Sequence, residues 1–246
     1  VAAYVDRGFA YGRLGNYQRG LEDANKAIEL DPGNATAYVN RAFAYGSLGN
    51  HQQALADANN AIELDPRNAM AYVNRGAAYD NLGNNNQAIK NFNRAIELNP
   101  KEQKAYYSRG IAYGRLGNHI QAIENFDMAI TLNPKDPAAY YSRGIAYDNL
   151  GNYNQAIENF NKAIALNPRV PAAYYSRGIA YGKLGNHIQA FKDFDRAIAL
   201  NPKDPAAHYS RGIANHHLGN NERALSDYKT AARLGLQIAQ DFLRQL

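Results

Sequence analysis

Residues 103–136 read QKAYYSRGIAYGRLGNHIQAIENFDMAITLNPKD, and residues 171–204 read PAAYYSRGIAYGKLGNHIQAFKDFDRAIALNPKD. The two strings share YYSRGIAYG, GNHIQA and LNPKD in the same register, so the stretch lying between them must be a second copy or a spacer. It is a copy: Arg109, Arg143 and Arg177 are 34 residues apart, and the column extends back to Arg7, Arg41 and Arg75 and forward to Arg211. Leu14, Leu48, Leu82, Leu116, Leu150, Leu184 and Leu218 keep the phase, each followed by Gly-Asn, and so do the alanines from Ala27 to Ala231. A fixed period of this length is the mark of a stacked array. The repeats run 1–34, 35–68, 69–102, 103–136, 137–170, 171–204 and 205–238, and no other domain boundary is visible, so 1–246 reads as a single array. Repeats three and five share AYDNLGN as four and six share YYSRGIAYG, which points to amplification of a double unit.

Within a unit, positions 3, 4, 8, 11 and 14 carry Ala, Tyr, Gly or Ala, Tyr and Leu at helical spacing, and Leu-Gly-Asn closes that helix. A second apolar series at positions 20, 21, 24, 27, 28 and 30 ends at Asp-Pro or Asn-Pro, as at Asn133-Pro134, where proline cannot continue a helix. Each unit is therefore an antiparallel helix pair, and pairs that cannot bury their apolar faces alone must stack into an all-α, curved solenoid. Leu236, Ala239, Phe242, Leu243 and Leu246 at helical spacing suit a capping helix over about 236–246. Repeat one has no equivalent, and the chain begins at Val1 and not at methionine. It reads as a piece of a longer polypeptide with an uncapped N-terminal repeat, through which self-association is expected.

The chain has 246 residues, 27 basic and 22 acidic, for a formal charge of +5. Removing the seven arginines of position 7 would take that charge to −2, so the basicity belongs to one scaffold column and is not a nucleic-acid footprint. Position 7 shares a helix face with Ala3, Ala10 and Leu14; its aliphatic stem should pack while the guanidinium reaches a carbonyl or carboxylate at the neighbouring turn. The position-33 cations, Arg67, Lys101, Lys135, Arg169 and Lys203, read as solvated turn residues. No run approaches the length of a membrane span and no secretory leader precedes the first repeat, so a soluble protein with no membrane partner is expected, in a compartment the residues do not name. With no cysteine, there is no disulfide framework and no thiolate chemistry.

These residues resemble the tetratricopeptide repeat family. Repeat four carries Tyr106, Gly110, Tyr113, Gly117, Ala122, Phe126, Ala129 and Pro134 at the family's positions 4, 8, 11, 15, 20, 24, 27 and 32. Departures are local: Gly20 in repeat one, Ala24 and Ala58 in place of the aromatic, Ala42 at position 8, and His208, Asn215 and Leu236 in repeat seven. The resemblance implies a right-handed superhelix whose concave groove, lined by first-helix positions 2, 5, 9, 12 and 13 with 6 beside them, holds a peptide or protein. Spacing alone puts positions 2, 5, 9 and 12 on one helical face.

Down those columns the residues change character after repeat three. Position 5 is Val5, Val39 and Val73, then Tyr107, Tyr141, Tyr175 and Tyr209; position 6 is Asp6, Asn40 and Asn74, then Ser108, Ser142, Ser176 and Ser210. A tyrosine ladder over small hydroxyls suits the backbone of an extended peptide, and the same tyrosines could instead pack against the adjacent first helix. At the edge, Asp80 and Asp148 are expected to meet Arg115, and Asp148 to meet Lys183, as a charge ladder between repeats. The candidate binding residues are thus Asn40, Asn74, Lys104, Tyr107, Ser108, Tyr141, Ser142, Tyr175, Ser176 and Tyr209, with Asp80, Arg115, Asp148 and Lys183 at the edge.

The family's clamp for chaperone carboxylate tails matches only in fragments, because Val5 and Phe9, or Val39 and Phe43, stand where Lys and Asn would, and Ser108 stands where Arg would. Asn40 and Asn74 are similar to the asparagine ladder in the helical arm of the O-linked N-acetylglucosamine transferase, so a substrate-recruiting arm of a larger enzyme such as a glycosyltransferase is the alternative function, with a self-assembling scaffold as another. No catalytic constellation, cofactor or metal is expected: His51, His119 and His187 lie 68 residues apart, and none of His208, His216 and His217 are four apart.

Overall fold

The structure, a computed structural model, describes residues 1–244. It falls into two compact units, Val1–Leu132 and Asn133–Leu246. The first contains α1 (Ala2–Arg13), α2 (Tyr17–Leu30), α3 (Ala35–Ser47), α4 (His51–Leu64), α5 (Ala69–Asn81), α6 (Asn85–Leu98), α7 (Gln103–Arg115) and α8 (His119–Leu132). The second contains α9 (Pro137–Asn149), α10 (Tyr153–Leu166), α11 (Pro171–Lys183), α12 (His187–Leu200), α13 (Pro205–His217), α14 (Asn221–Arg233) and α15 (Gln237–Arg244). No strand occurs among the described residues. In each unit every helix packs on its successor, and the first helix of a repeat also touches the first helix of the next, so the first helices line up side by side.

Leu-Gly-Asn ends the first helix by a double carbonyl capture. In repeat one Gly15, at φ +78°, donates to Gly12 O at 3.2 Å and Asn16 donates to Tyr11 O at 2.9 Å, which satisfies carbonyls the helix end would orphan. Asn16 then turns its side chain to cap α2, accepting from Arg19 N at 3.4 Å. The turn between repeats uses the residue before proline: Asp65 Oδ1 accepts from Arg67 N at 3.0 Å and Asn99 Oδ1 from Lys101 N at 3.1 Å. The position-33 cations thus sit on an Asx turn. Leu48, Leu116 and Leu150, at a position the helical spacing assigns to the apolar face, are C-caps and about 40% exposed.

Small residues set the helix spacing. Ala37, Ala71 and Ala105 at position 3, and Ala61 and Ala95 at position 27, are fully buried, and the aromatic at position 24 fills what remains: Phe92 and Phe160 are fully buried. Glycine at position 8 is what admits that ring. A Cβ on Gly76, Gly110, Gly144, Gly178 or Gly212 would come within 2.6–2.7 Å of the aromatic at position 24 of the same repeat, whereas repeat two pairs Ala42 with Ala58.

The arginine column holds the pairs together, through partners other than those the sequence suggested. Each guanidinium reaches position 23 of its own second helix and not a turn: Arg7, Arg41, Arg177 and Arg211 make forked pairs with Asp23, Asp57, Asp193 and Asp227. Where position 23 is Asn, Nε donates to the amide oxygen at 2.6–2.7 Å, as from Arg75, Arg109 and Arg143 to Asn91, Asn125 and Asn159. The amide nitrogen then donates to its own helix at Gln87, Gln121 or Gln155. A second arm crosses to position 25 of the preceding repeat, joining Arg41 to Asn25, Arg75 to Asn59, Arg109 to Asn93, Arg177 to Asn161 and Arg211 to Asp195. The hydrogen-bonded carboxylates hold Arg41 and Arg177 above the ordinary guanidinium pKa, while burial beside neutral amides pulls Arg109 down.

At the C-terminal end α15 lies on α14, with Phe242 edge-on to Tyr228 at 5.0 Å, Ala239 buried, and Gln240 Nε2 donating to Ala232 O at 3.0 Å. Leu246, the last apolar residue of the expected capping helix, lies outside the described residues.

Candidate functional site

The first helices present two chemically different faces. In the first unit, the buried Asn40 donates to Val5 O at 3.0 Å and the buried Asn74 to Val39 O at 2.9 Å, each reaching one repeat back. The small Val at position 5 leaves its carbonyl accessible to that amide. Among the described residues nothing donates a hydrogen bond to either carboxamide oxygen, and neither oxygen is sealed from solvent.

In the second unit the same two columns solve the contact another way. Tyr141 OH meets Ser176 Oγ at 3.2 Å and Tyr175 OH meets Ser210 Oγ at 3.4 Å. Beneath them each ring rests on position 24, with centroids 5.8 Å apart for Tyr141 and Phe160, 5.7 Å for Tyr175 and Phe194, and 5.4 Å for Tyr209 and Tyr228. The tyrosines are half-buried, so the packing role is real and one edge of each ring stays open. Tyr107 sits in the first unit, 5.9 Å from Phe126; Ser108 is half-buried on the same helix, and Ser142 lies on α9 with partners of its own.

Lys104 lies apart from these ladders. It opens α7, and its Nζ stands 4.4 Å from the Phe43 ring centroid in a cavity of about 170 Å³ that Asn74, Asn81 and His51 also line. Among the described residues no hydrogen bond or ion pair reaches the ammonium; burial pulls its pKa down, against the opposing charge of Glu102.

Two of the three edge pairings expected from the alternation of positions 12 and 13 form, one in each unit. Arg115 makes an ion pair with Asp80 and also donates to Asp80 O at 3.1 Å; Lys183 donates to Asp148 at 2.8 Å. Asp80 is 9% exposed and burial pushes its carboxyl pKa up, against the opposing pull of Arg115.

The histidines of repeat seven do not converge. His208 Nε2 donates to Pro202 O at 3.0 Å, and His216 Nδ1 contacts Asn221 at 3.1 Å. Among the described residues no group of three or more histidine, cysteine or acidic side chains is arranged to hold a metal ion. Nor is any described helix long and apolar enough to cross a membrane.

The architecture is that of a helical-pair repeat protein with a variable first-helix face. Profiles described as tetratricopeptide repeat match residues 1–34, 35–68, 69–102, 104–136, 137–170, 171–204 and 194–226. The chain belongs to the tetratricopeptide repeat family. A component of the APC/C hetero-tetramer Cut9–Hcn1 is similar in structure at 20% identity and TM-score 0.81, over 98% of the present protein and 48% of that component. The present protein therefore spans about half of that relative's length. A tetratricopeptide repeat protein from Parabacteroides merdae matches at 24% identity and TM-score 0.66, over 99% of the present protein and 97% of its own length. At those identities the likeness concerns the fold. YrrB, a TPR protein with an unusual peptide-binding site, matches at 27% identity and TM-score 0.61, over 75% of the present protein and 95% of its own length. Comparison with curated protein sequences finds no match.

Proposed function

We propose that the protein is a binding scaffold whose first-helix faces hold an extended peptide or a protein segment. The observation that carries this reading is Lys104: a largely desolvated ammonium beside Asn74 and Phe43 with no acceptor of its own. A half-buried cation without an acceptor among the described residues is costly, and a ligand acceptor placed there would satisfy it. The open carboxamide oxygens of Asn40 and Asn74 could accept from a peptide backbone, and the exposed edges of Tyr141, Tyr175 and Tyr209 offer amphipathic contact area. Family membership agrees with a scaffold role, and YrrB, with its unusual peptide-binding site, is a precedent for this use of the repeat.

The test is a peptide array probed with the intact protein, followed by titration of the best ligand against Lys104→Met. Loss of a hydrogen bond to a charged donor predicts weakening by about tenfold, that is about 1.5 kcal/mol or more. The melting temperature of the variant should not fall, since Met keeps the stem on Phe43 and sheds a desolvated charge. Unchanged affinity for every array ligand would remove Lys104 from the recognition surface.

A further inference from the structure

Helix α11, the start of α12 and helix α13 enclose a second cavity, of about 240 Å³. Phe194, Ile179 and Ile213 line it on the apolar side, and Ile213 is 39% exposed. Gly182 opens it further, because a Cβ there would meet nothing within 4 Å. This is room for one large aliphatic or aromatic side chain. The ionisable residues that line it, Lys183, His187 and His217, are all basic.

Lys183 is already answered: it donates to Asp148 of α9 at 2.8 Å and stands 5.1 Å over Tyr153 of α10. The imidazoles are not. His187 and His217 stack with centroids 4.2 Å apart and planes 8° from parallel, and among the described residues neither ring has a hydrogen-bond partner. His187 begins α12, where the helix dipole disfavours a cation, and His217 is in the last turn of α13, where it favours one. Burial and the charge of His217 both push the His187 pKa down. Of the other groups nearby, His216 turns to Asn221 of α14, while Glu222 of that helix lines a separate cleft with Lys229 and Arg233. Two imidazolium charges on rings stacked 4.2 Å apart repel each other, and an anion at the cavity mouth would offset that repulsion.

We propose that this cavity is a subsite for an apolar side chain flanked by a carboxylate, and that its affinity rises as the pH falls through the imidazole range. It rests on the reading of the first-helix faces as peptide-binding. The carboxylate comes from the ligand's own C-terminus or from an acidic neighbour of its apolar residue, and the two sources share the chemistry. Linkage fixes the sign: a ligand that prefers the doubly protonated pair takes up protons on binding, so acidification strengthens it until both rings are charged.

The experiment is a chemical-shift titration of the intact protein at pH 7.5 and pH 5.5 with three probes: acetyl-Ser-Leu with a free carboxylate, acetyl-Asp-Leu-amide, and the neutral acetyl-Ser-Leu-amide. Both carboxylates stay ionised at the lower pH. We expect shifts at Ile179, Ile213 and His217, a gain of about fivefold or more in affinity on acidification for at least one anionic probe, and no such gain for the neutral one. The anionic probe that gains identifies the source. His187→Gln with His217→Gln should abolish the gain. Equal affinities at the two pH values for all probes, or a gain that survives the double substitution, would overturn the proposal. Ile213→Glu, which places a carboxylate at the mouth, separates this claim from the broader one. If a longer array ligand is lost with Lys104→Met or on truncating Tyr141 and Tyr175, yet ignores Ile213→Glu, the subsite fails and the peptide-binding reading stands.

Discussion

Position 8 and position 24 behave as one packing unit, and a double-mutant cycle at Gly144 and Phe160 measures this. A Cβ added at Gly144 would lie 2.6, 2.8 and 3.1 Å from Cε1, Cδ1 and Cζ of Phe160, well inside the roughly 3.5–4.0 Å at which carbon atoms rest. The ring cannot retreat freely, since it is fully buried with Tyr141 5.8 Å away. Overpacking of this kind costs about 1–3 kcal/mol, while replacing glycine by alanine inside a helix returns about 1 kcal/mol. The net effect of Gly144→Ala in the native background is therefore a destabilisation of about 1 kcal/mol. Phe160→Ala alone should cost about 3–5 kcal/mol. In that background the methyl group has room, and Gly144→Ala should stabilise by about 1 kcal/mol, reproducing the Ala42–Ala58 pairing of repeat two. The coupling energy is then about 1–3 kcal/mol. Guanidinium unfolding followed by circular dichroism and tyrosine fluorescence checks it, with both probes required because arrays can lose two-state behaviour. Gly114→Ala, where a Cβ meets nothing within 4 Å, is the control and should stabilise. Equal destabilisation by Gly144→Ala in both backgrounds would mean that the glycine serves the backbone and not the ring.

Other perturbations test the remaining columns. Asp193→Asn should cost about 1 kcal/mol, since Asn holds the same place beneath Arg75, Arg109 and Arg143, whereas Asp193→Leu strands a guanidinium 18% exposed and should cost about 3–5 kcal/mol by chemical denaturation. Gly117→Ala forces alanine to φ +77° and should lower stability by about 1–2 kcal/mol without changing the helical signal at low temperature. Asp80 has a folded pKa raised by burial, so its charged form weakens the fold above that value and the penalty disappears as pH falls through it. Arg115→Met removes the opposing attraction, so the variant should gain more stability than the parent between pH 7 and pH 4.5, read as a difference in unfolding midpoints.

The repeat frame is legible because the scaffold writes the same residues again and again: the 34-residue spacing and Gly-Asn after the first helix recur in all seven repeats and the Asx-Pro turn after the second helix in six, and each has one structural meaning. The edge pairs Asp80–Arg115 and Asp148–Lys183 are legible too, because oppositely charged positions alternate between neighbouring repeats. The arginine partners are not found by apolar periodicity, which makes positions 23 and 25 the polar side of an amphipathic helix. The available signal is constancy: Asp or Asn fills position 23 in every repeat, and position 25 in all but the last, where Lys229 stands. The change from Val with Asn to Tyr with Ser falls at repeat four in both columns, although the contacts join position 5 to position 6 of the next repeat, so Ser108 follows Val73 and belongs to neither pairing. The His187–His217 stack is hidden from the sequence, since it joins unrelated positions of two repeats and depends on side-chain directions that spacing does not encode.

On the proposed function, repeated columns build the array and the variable first-helix residues recognise a partner. Backbone amide shift mapping of the intact protein with its best array ligand tests it most directly. Perturbations are expected to concentrate at Asn40, Asn74, Lys104, Tyr141 and Tyr175. Perturbations concentrated instead at exposed second-helix positions such as Lys26, Arg94 and Glu97, with the first-helix residues silent, would contradict it.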